Sequence, residues 1–153
     1  MFKRILFVCI GNICRSPTAE YLLRARLASD DFDVGSAGLG ALVGKPMDAT
    51  AAQVLLDHGV DGSSHRGRQV TRTLLLRSDL ILVMEKSHLA AIGRSAPEVS
   101  GKAFLLGKWQ ADTEIPDPYG QSRASFDHVF QLIDKGVSGW LPYLNVSEIQ
   151  SRA

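Results

Sequence analysis

Ile5-Leu6-Phe7-Val8-Cys9-Ile10-Gly11-Asn12-Ile13-Cys14-Arg15-Ser16-Pro17 is the stretch that decides the fold of this chain. The apolar run from Ile5 to Val8 reads as a buried parallel strand, which is covered on both faces and so needs no polar alternation. Ser16 offers an N-cap, and Pro17 suits the first helical position, where a missing N–H costs nothing. Between strand and helix lies a short loop against a helix N-terminus. Free backbone N–H groups and the helix dipole favour an anion there. A strand, an anion-attracting loop and a helix make the opening unit of an α/β sheet.

Outward from that unit, strands and helices alternate, as in an α/β fold with a parallel sheet. The first strand covers about 4–9. A helix follows over 17–28, with Ala19, Leu22, Leu23 and Leu27 on one face. A short strand lies near Asp33 to Ser36. A helix begins after Asp48, runs through Ala51, Ala52, Val54 and Leu55, and ends at His58-Gly59. Thr71 caps a short helix to about Arg77, and 79–84 is the clearest buried strand. Ser87 starts a helix ending near Ala96-Pro97, before a strand at 102–106. Phe126, Val129, Phe130, Ile133, Val137, Trp140, Leu141 and Leu144 recur at helical spacing, a stripe that covers one face of the sheet. Gly136 and Gly139 interrupt it and mark a bend or a close approach. Residues 145–153 read as a frayed tail. With no repeat, linker or low-complexity stretch, 1–153 is expected to form a single domain.

In open parallel sheets, ligands bind beyond the carboxyl ends of the strands. The Cys9 loop, the segment Ser36 to Leu42, Glu85 and Asp117 all follow strands in this reading, so all emerge on one edge. Composition narrows the partners. The 45% hydrophobic and 22% charged content is that of an ordinary globule, and a net charge of +1 argues against nucleic acid or a membrane surface. The apolar run at the start is too short for a signal peptide or a membrane span. Two cysteines five positions apart do not form a secreted disulfide scaffold, so a cytosolic protein is expected.

Cys9 is the candidate nucleophile, because thiols at helix N-termini ionise easily. It would attack phosphorus and carry the phosphoryl group as a thiophosphate. Arg15, a planar fork, and the backbone N–H groups of Ile10, Gly11, Asn12, Ile13, Cys14 and Arg15 would hold the equatorial oxygens. Gly11 and Asn12 both tolerate positive φ. Ser16 is placed to donate its hydroxyl to the Cys9 sulfur. The plainer alternative is that both cysteines are small buried hydrophobes. Cys14 is either a packing residue or a reversible disulfide partner of Cys9. A leaving alkoxide or phenolate also needs a proton. Asp117, flanked by Pro116 and Pro118 and followed by Tyr119, is the best donor, although Asp-Pro-Tyr alone reads as a turn.

Taken together, Val8-Cys9-x-Gly11-Asn12-x-Cys14-Arg15-Ser16-Pro17 and the distant Asp117-Pro118-Tyr119 resemble the low-molecular-weight protein tyrosine phosphatase family over nearly the whole chain. Ser36-Ala37-Gly38, Ser64-His65 with Arg68-Gln69, and Asp79 to Glu85 are further matches. The stretches Leu39 to Lys45, Ala96 to Lys102 and Glu114 to Tyr119 are similar to the bacterial branch.

The resemblance implies an open four-stranded parallel sheet of order 2-1-3-4 with helices on both faces, and hydrolysis of phosphotyrosine without metal or cofactor. It also implies a network of Asn12, Ser16, Ser36 and His65 that holds the phosphate loop. The implied partner is a phosphotyrosine protein, a membrane tyrosine autokinase of capsule or exopolysaccharide export. Tyr119 is the expected wall on one side of the pocket. On the other, where many members carry an aromatic, this chain has Leu39 or its neighbours Ala41 and Leu42, and Gly120 replaces a second aromatic, so a more open mouth is expected. His58, His88 and His128 read as ordinary helix residues. The rivals are an arsenate reductase of the same fold, which typically uses a later cysteine pair, and a phosphocysteine carrier, which needs no Asp117.

Overall fold

The computed structural model describes residues 2–27 and 29–144. Four strands, β1 (Arg4–Cys9), β2 (Asp33–Gly38), β3 (Leu80–Val83) and β4 (Ala103–Leu105), form one parallel sheet of order β2-β1-β3-β4. The chain leaves β1 for β2 on one side and returns to β3 on the other. The loop after β1 therefore opens at the point where the strand order reverses, where open α/β sheets bind ligands.

Strand side chains alternate between faces, and the sequence uses both. Ile5, Phe7 and Cys9 with Leu80 and Leu82 face one core, covered by α1 (Arg15–Arg26), α2 (Ala49–Asp57) and α5 (Arg123–Leu144). Leu6, Val8, Ile81 and Val83 face the other, covered by α3 (Arg72–Arg77) and α4 (Lys86–Ser95). Cys9 thus lies on the α1 side, directly ahead of the helix that follows its loop.

The expected elements all form, with shifted ends. β2 runs on to Gly38, and a 3-10 turn over Pro97–Lys102 fills a stretch expected to be bare. The first helix begins at Arg15 with Cys14 as N-cap, not after a Ser16 cap, because the Ser16 hydroxyl is engaged elsewhere. Pro17 stays within the first turn, where it sacrifices no bond. Likewise α4 starts after Glu85 rather than at Ser87. The seven-residue buried stripe of α5 lacks only Leu141, which is half-buried. Its two glycines mark close approach: a Cβ on Gly136 would meet Leu106 Cγ at 2.6 Å, and one on Gly139 would meet Gln110 Nε2 at 2.7 Å. Residue 28 of the first expected helix and the tail 145–153 lie outside the described residues. No helix among the described residues is long and apolar enough to cross a membrane.

Candidate active site

The loop after β1 is shaped by what holds its carbonyls. Cys9 O accepts from Leu39 N at 2.9 Å, Ile10 O from Gly40 N at 3.0 Å and Gly11 O from Leu42 N at 3.0 Å. Asn12 O accepts from His65 Nε2 at 2.7 Å, Ile13 O from Asp48 N at 2.8 Å, and Cys14 O from the Thr18 hydroxyl at 2.7 Å. Every carbonyl from Cys9 to Cys14 is therefore tied outward. Among the described residues, no acceptor takes the amide hydrogens of Ile10 to Cys14. Amides whose carbonyls all point out converge inward on a concavity that attracts an anion. Cys14 has no side-chain oxygen and makes no cap bond, so the first turn of α1 adds its own free donors.

Two backbone positions make the winding possible. Asn12 adopts φ +58, the left-handed region that asparagine tolerates. Gly11, expected to share that conformation, does not have positive φ. The steric demand for glycine falls instead on Gly38, where a Cβ would lie 2.3 Å from Ile10 O.

Asn12 is also the hub of a buried network. Its Oδ1 accepts from Arg68 N at 2.9 Å, which fixes the amide orientation. Its Nδ2 then donates to Ser16 Oγ at 2.8 Å and Ser36 Oγ at 2.9 Å. Ser36 passes its hydrogen to the buried Glu20 carboxylate at 2.6 Å, and Glu20 pairs with Arg24 at 2.6 Å. Ser16 Oγ lies 2.8 Å from Cys9 Sγ, and His65 donates through Nε2 to the Asn12 carbonyl. Asn12, Ser16, Ser36 and His65 thus lie in one network, with Glu20 as a carboxylate that sequence reasoning missed. Its signal was weak: a charged residue four positions from Arg24 on an amphipathic helix reads as a surface pair.

Arg15 is almost fully buried and anchored through one nitrogen. Nη1 donates to Glu85 Oε2 at 2.5 Å and to Ile115 O at 2.8 Å. Its other nitrogens have no partner among the described residues, leaving the remaining edge of the fork for a ligand oxygen. The sequence places Glu85 on this edge of the sheet but gives it no role; here it anchors the arginine. His88 also departs from expectation: it is buried, and its ring touches Glu85 twice. Cys14 is a buried free thiol, and burial first, then Asp48, Asp117 and Cys9, pushes it far above the usual thiol range. It is a protonated packing group in this state.

A pocket of about 240 Å³ opens over Cys9, lined by the loop, Arg15, Gly40, Leu42, Asp117 and Tyr119. Asp117 sits at the mouth, its Oδ1 accepting from Tyr119 N at 3.0 Å. The segment is pinned on both sides of Asp117: Ile115 N donates to Met84 O at 2.9 Å, and Pro118 is buried beside Cys14 and Phe126. Tyr119 lines one side as expected. Of the candidates Leu39, Ala41 and Leu42 for the other wall, Leu42 lines the pocket. The chain turns at Gly40, clamped by Gln69 through Ala41 N and Leu39 O. This turn directs Leu39 onto the core on the α3–α4 side.

A thiol at the floor of an oxyanion nest, an arginine fork and a carboxyl at the mouth define a cysteine-dependent phosphate-handling enzyme on an α/β sheet. Comparison with known proteins narrows the class. Residues 4–151 match the profile of the family described as low molecular weight phosphotyrosine protein phosphatase, and the chain belongs to that family. It is 47% identical over 148 residues to the low molecular weight protein-tyrosine-phosphatase Wzb of Salmonella typhimurium, covering 97% of this chain and 98% of that one. The crystal structure of the tyrosine phosphatase Wzb from Escherichia coli K30 in complex with sulphate superimposes with a TM-score of 0.90 at 46% identity, over 94% of this chain and 99% of that one. Vibrio vulnificus Wzb in complex with benzylphosphonate gives 0.87 at 46% identity, over 92% and 97%.

Proposed function

We propose that this protein-tyrosine phosphatase works through a Cys9 phosphoenzyme in the cytoplasm, as one domain spanning 1–153. Its physiological target is a membrane tyrosine autokinase of capsule or exopolysaccharide production. The observation that carries the chemistry is the outward tying of every carbonyl from Cys9 to Cys14 around a buried sulfur. That arrangement suits a tetrahedral oxyanion held against a nucleophile. Sulphate and benzylphosphonate, bound by the two related Wzb proteins, are such ligands, and the second carries a phenyl ring.

In the first step the phosphotyrosine phosphate enters the nest and the free edge of Arg15 takes its equatorial oxygens. The Cys9 thiolate, receiving the Ser16 hydroxyl hydrogen, attacks phosphorus opposite the ester oxygen. The S–P bond forms as the P–O bond to the phenyl ring breaks, and the Asp117 carboxyl supplies the proton that releases neutral tyrosine. In the second step Asp117, now ionised, takes a proton from water. The hydroxide adds to phosphorus, the S–P bond breaks, and inorganic phosphate leaves with the thiolate restored. The Cys9 sulfur shares its pocket with Leu42 and Tyr119, an apolar and aromatic lining that suits a phosphate carried on a phenyl ring.

The test is hydrolysis of para-nitrophenyl phosphate, and then of the phosphorylated autokinase, by the wild type, Cys9→Ser and Asp117→Asn in EDTA. Turnover in the wild type, absent in Cys9→Ser and reduced at least a hundredfold in Asp117→Asn, is expected from a nucleophile and an acid catalyst. No turnover by folded, reduced wild type overturns the reading. Equal rates for wild type and Asp117→Asn point to a phosphocysteine carrier instead.

A further inference from the structure

We propose that His88 is a positioning residue for this reaction, its imidazole fixing the Glu85 carboxylate that aims Arg15 at the phosphate. The proposal rests on the phosphatase reading above. His88 takes no part in the bond-making steps, yet its imidazole is only 2% exposed, one turn into a helix that carries no catalytic group.

Both ring nitrogens face the same neighbour, and one of them is hydrogen-bonded to it. Nδ1 accepts the Glu85 backbone N–H at 3.3 Å, the side-chain half of a capping box with histidine in the place usual for Glu or Gln. A nitrogen that accepts carries no proton, so in the neutral ring the hydrogen resides on Nε2. Nε2 lies 3.5 Å from Glu85 Oε2, the oxygen that receives Arg15 Nη1 at 2.5 Å. Glu85 Oε2 therefore receives the Arg15 guanidinium, while the neutral imidazole packs beside it with Nε2 outside hydrogen-bonding geometry. The Glu85 side chain is itself one-third exposed, so without the ring its carboxylate has water to turn into.

The charge setting keeps the ring neutral. Four charged groups face it: Arg15 at the start of α1, Glu85 ahead of α4, and Glu114 and Asp117 on the loop after β4. Burial, then Arg15, hold its basicity below the ordinary imidazole value against the three carboxylates. A second proton would have to sit on Nδ1, pointing at the Glu85 N–H. Protonation therefore breaks the cap, and the backbone that carries Glu85 loses its hold.

Three variants test this, with kcat, KM and melting temperature measured from pH 5 to 8 on para-nitrophenyl phosphate. His88→Leu keeps the bulk and loses both contacts. His88→Gln offers an acceptor and a donor and does not titrate. Glu85→Gln removes the carboxylate charge that pairs with Arg15. His88→Leu is expected to lower kcat about tenfold, because the backbone that carries Glu85 loses its cap bond. It should also weaken inhibition by vanadate, which reports Arg15 directly. His88→Gln should restore most of kcat and keep its activity to lower pH than the wild type. His88→Leu should add little in a Glu85→Gln background.

A folded His88→Leu with unchanged kcat, whatever its melting temperature, overturns the proposal and leaves the ring a packing group. Superimposable acid limbs for wild type and His88→Gln overturn it too, and that comparison holds even if the leucine variant does not fold. Turnover that survives Cys9→Ser would instead remove the phosphatase reading itself.

Discussion

The Ser16 hydroxyl oxygen lies 2.8 Å from the Cys9 sulfur, and for a thiolate only the serine can donate. The Asn12 amide already fills one acceptor site of that oxygen, which directs the hydroxyl hydrogen toward sulfur. Ser16→Ala removes a hydrogen bond to a charged group, worth about 1.5–3 kcal/mol. The expected result is a fall in kcat of roughly ten- to a hundredfold, with slower alkylation of Cys9 by iodoacetate at neutral pH. Unchanged alkylation would show that the serine does not act on the sulfur.

Asn12 carries both a conformation and four hydrogen-bonded neighbours, so its replacements separate the two. Asn12→Gly keeps φ +58 at no steric cost, whereas Asn12→Ala adds backbone strain of about 1–2 kcal/mol. Both should lose most activity, because Ser16 and Ser36 lose their donor. The alanine variant should melt several degrees lower than the glycine one. Equal melting temperatures would argue against strain at this residue.

The pocket wall gives a contrast between neighbours in sequence. Leu42→Ala should raise KM for aryl phosphates several-fold and leave the melting temperature near wild type, because the side chain is exposed at the mouth. Leu39→Ala should do the reverse, costing about 1 kcal/mol of stability for a half-buried leucine with little change in KM. Steady-state kinetics beside thermal melts decide it.

His88 also sets a direction for stability against pH. Its basicity is lowered in the fold relative to the ordinary value of 6.5, so near and below that pH the unfolded chain binds more protons than the native one. Its contribution is therefore complete above about 6.5 and is lost as pH falls through the lower native value. Urea titrations of wild type and His88→Gln from pH 7.5 to 5 should converge or cross as pH falls. Parallel curves would contradict the assignment.

Gly136 lets α5 rest on Leu106, so Gly136→Val overpacks the contact and should cost about 1–3 kcal/mol. Circular dichroism melts measure it. A compensating Leu106→Ala should recover part of the loss.

The strands and the order of elements are legible because an apolar strand must announce itself in sequence. Cys9, Arg15 and Asp117 are legible because their chemistry demands particular side chains. Glu20 and Glu85 are not, since a carboxylate looks the same whether it meets water or a buried partner seventy residues away, as Glu85 meets Arg15. The helix start is misread for a related reason: Ser16 has the chemistry of a cap, and only the fold reveals that Asn12 and Cys9 take its hydroxyl. Leu39, Ala41 and Leu42 are all candidates for the wall by sequence position, and the turn at Gly40 decides which leucine lines the mouth.

The ties that shape the nest come largely from residues after β2: Leu39, Gly40, Leu42, Asp48 and His65. A chain folded only through its first strand and helix therefore has Cys9 and Arg15 but no concavity to bring phosphorus to the sulfur. Reactivity in this protein is a property of the finished fold rather than of the motif. An oxyanion that binds the nest recognises the native state alone, so saturating phosphate or vanadate should raise the melting temperature while unfolded chains stay chemically quiet.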